Sequence, residues 1–231
     1  MTELVIGLAG SAAGAGKDTA ADLIEQLLPG CQRIAFATKL RQVIEILTNG
    51  KILASETLTG EGKARIVDRA MFGVDEKEVS ARLQTAFGPL PTSQLQKAAR
   101  VLLFGEKMTV GRLLQLLGTE IGRDLVGPDI WVKVLEEKIH KEQIRILLVT
   151  DVRFENEARW IKQHPKSCLI LVDARHRLRS KCNKELLAGR KPEHASELGL
   201  NKLLWHDFDI ILNNNASVET LHAQLKASVF F

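Results

Sequence analysis

Cysteine is scarce in these 231 residues: Cys31, Cys168 and Cys182 are three in number and lie far apart. No C-x-x-C pair occurs, so neither a zinc site nor a disulfide framework is indicated. Cys31 and Cys168 abut apolar runs and read as core packing. No uninterrupted apolar run approaches the ~20 residues of a membrane-spanning helix. The opening Met1-Thr2-Glu3 has no basic leader, which argues against a signal peptide. The expectation is a soluble protein of the cytoplasm. Internal repeats and low-complexity tracts are missing as well. A net charge of +4 is too slight to imply nucleic acid, although it suits small anions. The basic stretch from Arg175 to Lys191 has little aromatic interleaving, so a nucleic-acid binder ranks last among the readings.

What is present is organised around Ala9-Gly10-Ser11-Ala12-Ala13-Gly14-Ala15-Gly16-Lys17-Asp18-Thr19. An apolar run, Leu4 to Leu8, precedes it, and apolar residues at helical spacing follow it from Ala20 to Leu28. The order strand, glycine-rich loop, helix is the context that turns a glycine pattern into a phosphate-binding hypothesis. Small residues let backbone N–H groups turn toward an anion, and the helix start adds unpaired donors. Lys17 brings an ammonium to the outer phosphates. The pattern G-x-x-x-x-G-K is imperfect here. Its first glycine falls on Ser11, with Gly10 one place early, so the loop is expected to be one residue longer than usual. Asp18 replaces the hydroxyl that normally follows the lysine, and Thr19 comes next. Both are candidates to hold Mg²⁺.

Further along, Arg33 to Ala37 reads as a strand and Thr38 as the cap of a helix from Lys39 to Leu47. Lys39 and Arg41 thus stand beyond a strand's carboxyl end, where α/β proteins bind ligands. Residues 49–108 form an irregular insertion with helices over Glu76–Phe87 and Ser93–Phe104. Thr109 is a candidate N-cap, and Arg112 sits near a helix start, where a cation opposes the dipole and hints at a phosphate. Arg123 and Asp124 are read as loop. Trp131 lies on the apolar face of a helix running to about Lys141, and its spacing fits core packing and a base-stacking pocket wall equally. Ile144 to Thr150 is a buried strand that ends in Asp151, Arg153 and Glu157. Asp151 occupies the place of an NTPase metal- or water-ordering acid. A second buried strand, Cys168 to Asp173, leads into the basic residues 174–195, read as a lid whose Arg175 and Arg179 meet phosphate. Beyond them lie His194, with Ser196 read as a turn cap and Glu197 as a tether for a lid arginine. Strand Phe208–Asn214 and a closing helix from Ser217 end the chain.

In this order the pieces resemble the deoxynucleoside monophosphate kinases of tailed bacteriophages. The resemblance is carried by Gly-x-Gly-Lys-Asp-Thr, Arg112 to Glu120, Trp131-Val132-Lys133, Asp151-Val152-Arg153 with Glu157, and His194-x-Ser196-Glu197. It implies a P-loop kinase-like α/β fold: three α/β/α layers, a mostly parallel central sheet, a helical insertion over about 49–108 and a basic lid over about 174–195, all within one domain. It implies transfer of the γ-phosphate of ATP, with Mg²⁺, to a deoxynucleoside monophosphate. Gly14, Ala15, Gly16, Lys17, Asp18 and Thr19 would hold the ATP phosphates and metal. Arg112, Trp131, Asp151, Arg153 and Glu157, with Lys39 and Arg41, would form the acceptor pocket. Lys17, Asp18, Asp151 and Arg153 are the expected catalytic set. A homodimer is implied by the resemblance alone. A kinase for another small substrate, such as dephospho-coenzyme A, and a nucleotide-dependent switch or ATPase are the alternatives.

Overall fold

The computed structural model describes residues 2–12, 14–105, 107–178 and 205–228. In chain order the first elements are β1 (Leu4–Gly10), α1 (Lys17–Leu27), β2 (Cys31–Ile34), α2 (Ala37–Leu47), α3 (Gly60–Ala64) and β3 (Ile66–Val67). Next come α4 (Glu76–Phe87), α5 (Thr92–Phe104), β4 (Met108–Thr109), α6 (Val110–Gln115) and α7 (Ile130–Glu142). Then follow β5 (Ile146–Val152), α8 (Glu155–Lys162), β6 (Ser167–Asp173), β7 (Ile210–Asn213) and α9 (Val218–Ala227). These elements form two compact units, Met1–Phe36 with Leu135–Phe231, and Ala37–Val134.

The first unit is an α/β/α sandwich. Its sheet has the order β2-β5-β1-β6-β7, and every pairing is parallel. Strands buried on both faces need apolar residues at consecutive positions. The central strands β1, β5 and β6 supply them as Leu-Val-Ile-Gly-Leu-Ala-Gly, Ile-Leu-Leu-Val-Thr-Asp-Val and Ser-Cys-Leu-Ile-Leu-Val-Asp. On one face Ile6, Leu8, Leu148, Ile170 and Val172 pack with Ala20, Ala21 and Ile24 of α1 and Leu221 and Leu225 of α9. On the other face α8 lies so close to β1 that a Cβ on Gly7 would overlap Ile161. Cys168 is buried, and burial pushes its thiol up to about 12, so it behaves as a core residue rather than a nucleophile.

The chain leaves β1 for β2 on one side of the sheet and reaches β6 and β7 on the other. β1 is therefore a topological switch point. At such a point the loops leaving neighbouring strands diverge and open a crevice at the carboxyl edge. The glycine-rich loop leaves the sheet there, with the ends of β5 and β6 as its immediate neighbours.

The second unit is helical apart from the antiparallel β3–β4 pair. Its core gathers Val43, Ile44 and Leu47 of α2, Val79 and Leu83 of α4, Leu95, Ala99 and Leu102 of α5, and Phe72. The helices expected over 76–87 and 93–104 are present within one residue, but the unit reaches from Ala37 to Val134 and so takes in more than the expected insertion.

Two local expectations change. Thr38 does not cap α2, which already begins at Ala37: the Phe36 N–H donates to Asp151 Oδ1 at 2.7 Å, and the chain turns one step earlier. Arg123 and Asp124 are not loop. They belong to a wide π-wound continuation of α6 over Leu116–Val126. There the Trp131 indole donates to Gly118 O at 2.9 Å and packs so tightly that a Cβ on Gly122 would lie 2.7 Å from the ring.

Arg82 ties the second unit together by donating to Leu47 O at 2.8 Å, Met71 O at 2.9 Å and Glu78 at 2.6 Å. Arg82→Met keeps the stem but strands both carbonyls, and should lower stability by about 2 kcal/mol. The urea midpoint of unfolding reads this directly.

Candidate active site

In the first unit, Ser11 does not open the loop. Its N–H donates to Val172 O at 3.0 Å, prolonging the β1–β6 ladder, and its Oγ accepts from the Ala174 N–H at 3.0 Å. The residue needed for close approach is Gly10, where a Cβ would lie 2.8 Å from Lys17 Nζ. The one-residue offset from the usual pattern thus has a physical account: Gly10 accommodates the lysine, and Ser11 anchors the chain to the exit of β6. The loop then turns through a bond from Ala15 N–H to Ala12 O at 3.1 Å. Gly14 and Gly16 take φ of 77° and 97°, a region that side chains disfavour. Lys17 is the first residue of α1, and no described side chain caps that helix. Its first N–H groups have no partner within the helix and carry the positive end of its dipole. The space beside Gly14 is open. This donor set fits the phosphates of a nucleotide.

Burial lowers the pKa of Lys17, and the Arg153 guanidinium lowers it further, while Asp18 and Asp151 pull it back up. The β5 exit has thus brought Asp151 and Arg153 to the lysine, as their order in the chain suggested. Asp151 also has a structural task, since its Oδ1 receives Phe36 N–H. Glu157 is almost fully buried, and its Oε2 accepts from the N–H of Arg153 at 2.7 Å and of Phe154 at 3.0 Å. It orients Arg153 through the main chain by closing the first turn of α8. Asp18 is exposed and pairs at 2.6 Å with Arg33, which holds Asp22 at the same distance. Thr19 is half-buried in the first turn.

The other expected residues lie in the second unit. Arg112 follows the Thr109 cap and pairs with Glu120 at 2.6 Å, so the acid offsets its unfavourable place at a helix start. Lys39 and Arg41 are half-buried in the first turns of α2. Trp131 is buried, with its ring centroid 5.9 Å from that of Phe87, which is the packing role its spacing allowed.

Of the basic residues after β6, Arg175 turns to Asp173 at 3.0 Å and lies 4.1 Å over the Trp205 ring. Arg179, with His194, Ser196 and Glu197, lies outside the described residues, as does most of the expected lid. Two residues that touch the loop were missed as site residues. Arg177 donates to Gly14 O at 3.2 Å, and Asn214 Nδ2 donates to Ala15 O at 2.8 Å. A run of three asparagines, Asn213 to Asn215, at the end of the last strand was the available signal.

A family model described as deoxynucleotide monophosphate kinase matches residues 62–225. The chain belongs to the deoxynucleotide monophosphate kinase family. Its reaction is therefore phosphoryl transfer from ATP to a deoxynucleoside monophosphate, yielding the diphosphate. The deoxynucleoside-5'-monophosphate kinase of Escherichia phage T5 is 26% identical over 185 residues, which are 69% of this chain and 72% of that one. The crystal structure of TT1252 from Thermus thermophilus superposes with a TM-score of 0.39 at 19% identity, covering 98% of this chain and 96% of that one. That likeness is too loose to carry weight. The match to the kinase family begins after the glycine-rich loop, so the loop's role rests on its own geometry. No helix among the described residues is long and apolar enough to cross a membrane.

A phosphate held by the loop would raise the lowered pKa of Lys17, because opposite charge favours the ammonium. ATP affinity should therefore be constant below the free-protein value and fall as pH rises through it, beginning below the ordinary 10.5. Calorimetric titrations from about pH 7 to about pH 10 should show this fall, and Lys17→Arg, whose guanidinium stays charged, should abolish it.

Proposed function

We propose that the loop from Gly10 to Lys17 binds the phosphates of ATP and that Lys17 and Arg153 neutralise the phosphoryl group in flight. The observation that carries this reading is the Lys17 ammonium, folded onto Gly10 at an uncapped helix start and flanked by Arg153 and Asp151. An ammonium that burial and a neighbouring guanidinium both disfavour is matched to an anionic ligand. Phosphoryl transfer asks little covalent work of a protein; positioning and charge neutralisation dominate.

Mg²⁺, when bound, would offset the negative charge of the phosphates. Among the described residues no group of three or more His, Cys, Asp or Glu could hold a metal ion. Phosphate oxygens and water would then supply most of the ligands, as is usual for this ion. Asp18 and Thr19 are the residues offered to it, and Asp18 is exposed enough to exchange Arg33 for a hydrated ion.

Arg112 is assigned the acceptor phosphate, with Lys39 and Arg41 adding positive charge. A guanidinium forks onto two phosphate oxygens, and the exposed pair with Glu120 is weak enough to exchange. Trp131 shapes the acceptor region by packing, and Asp151 and Glu157 keep the β5 exit oriented. A homodimer, and action in the cytoplasm of a phage's host, complete the proposal. Family membership leaves the dephospho-coenzyme A and switch readings without an observation in their favour.

A panel of dTMP, dGMP, dCMP, dAMP and the ribonucleoside monophosphates, with ATP and Mg²⁺, tests the assignment through ADP formed. At least one deoxynucleotide should give rapid turnover, and Lys17→Ala should lower kcat/KM for it roughly a hundred- to a thousandfold. Unchanged turnover in Lys17→Ala would remove the loop from the mechanism.

A further inference from the structure

A phosphate loop whose N–H groups turn toward an anion must turn carbonyls the other way. Those carbonyls also need partners, since a buried polar group without one is costly. In this chain the partners come from the far end of the sequence. Asn214 Nδ2 donates to Ala15 O at 2.8 Å. Arg177 Nη2 reaches Gly14 O at 3.2 Å and Ala15 O at 3.4 Å, and its Nε donates to Asn214 O at 3.1 Å. Both residues are themselves fixed. The Asn214 N–H donates to Asp173 O at 2.7 Å, and the Arg177 N–H donates to Asn215 Oδ1 at 2.9 Å. Asn214 is only 9% exposed. It sits so close beneath the loop that a Cβ on Gly16 would overlap its amide.

We propose that Asn214 and Arg177 are positioning residues that hold the loop in its anion-binding conformation from behind, so that ATP affinity depends on them while acceptor affinity does not. Each acts on the loop through its carbonyls, Ala15 O for both and Gly14 O for Arg177. The amide of Asn214 donates to Ala15 O and fills the space a side chain at residue 16 would need, so the position requires glycine, which takes its left-handed φ without strain. The guanidinium of Arg177 ties the loop to the exit of β7, with Nη2 on the carbonyls of Gly14 and Ala15 and Nε on Asn214 O, which a single ammonium point charge cannot do with the same geometry. The inference rests on the reading that this loop holds ATP.

The test compares Asn214→Ala, Arg177→Lys, Arg177→Gln and Lys17→Ala in steady-state kinetics with both substrates varied. Each folded variant is checked by circular dichroism and melting. Positioning predicts that Asn214→Ala raises KM for ATP about tenfold, the size of one or two lost hydrogen bonds, with KM for the deoxynucleotide within about twofold. It also predicts that Arg177→Lys, which keeps the charge and loses the fork, is impaired as much as Arg177→Gln. Should Asn214→Ala not fold, the two Arg177 variants decide. An ATP KM unchanged in Asn214→Ala, or an Arg177→Lys enzyme indistinguishable from the parent beside an impaired Arg177→Gln, would overturn the proposal in favour of inert packing or of bulk charge. Lys17→Ala separates the two levels. If it too binds ATP normally, the loop is not the ATP site; if it alone fails, the loop is the site and the brace is not needed.

Discussion

A lysine ammonium held partly out of water and beside a guanidinium is the constraint on which the site depends. Left alone, such a group tends to shed its proton. The fold surrounds it with compensations. Asp18 and Asp151 restore part of the charge balance, Gly10 yields the space for the side chain, and the uncapped start of α1 points its dipole at the same region. None of these offsets the burial of the lysine in full, since its pKa stays lowered, and an anionic ligand would supply the remainder. A fully paired lysine would have to break an ion pair before it could bind phosphate.

The supporting structure is mostly main chain. Asp151 fastens the exit of β2, Glu157 fastens the start of α8, and Ser11 fastens the glycine-rich loop to the exit of β6. Each spends a polar side chain on a backbone N–H at the carboxyl edge of a parallel sheet. Chains leaving neighbouring parallel strands lose their ladder partners at this edge, so their first peptide groups must be satisfied locally. Polar residues that look catalytic in the sequence therefore serve as scaffold. Asp151 and Glu157 are examples, and their substitution disturbs geometry as well as charge. The second unit shows the opposite economy. Its one conspicuous tryptophan, Trp131, is consumed by the core, where its indole satisfies a carbonyl of a π-wound turn.

Much of this was legible in the chain itself. Three near-continuous apolar runs, each followed by small or charged residues, announce a parallel sheet with its chemistry at one edge. Gly14 and Gly16 before Lys17 announce a glycine-rich turn into a helix, and the structure has that turn. The helices over Glu76–Phe87 and Thr92–Phe104 follow from apolar spacing alone. Arg123 and Asp124 were misplaced because two glycines and a charged pair look like a break, whereas a widened helix absorbs them when Trp131 fills the space that Gly122 leaves. Arg175 looked like a phosphate ligand because it stands in a basic run. Its actual partners, Asp173 and Trp205, could be chosen only once β6 and the residues before β7 were in place.

The sequence by itself determined the order of elements, the place of the glycine-rich loop and the acids and arginine that leave β5, because these follow from local periodicity and from residue types adjacent in the chain. Tertiary structure alone decided which partners those residues take. Asn214 meets Ala15 across 199 positions, and Arg177 meets Gly14 across 163. Such contacts depend on the strand order β2-β5-β1-β6-β7, which sets the exits of β6 and β7 on the side of β1 where the loop emerges. A linear pattern carries no distance between its ends; the sheet supplies it.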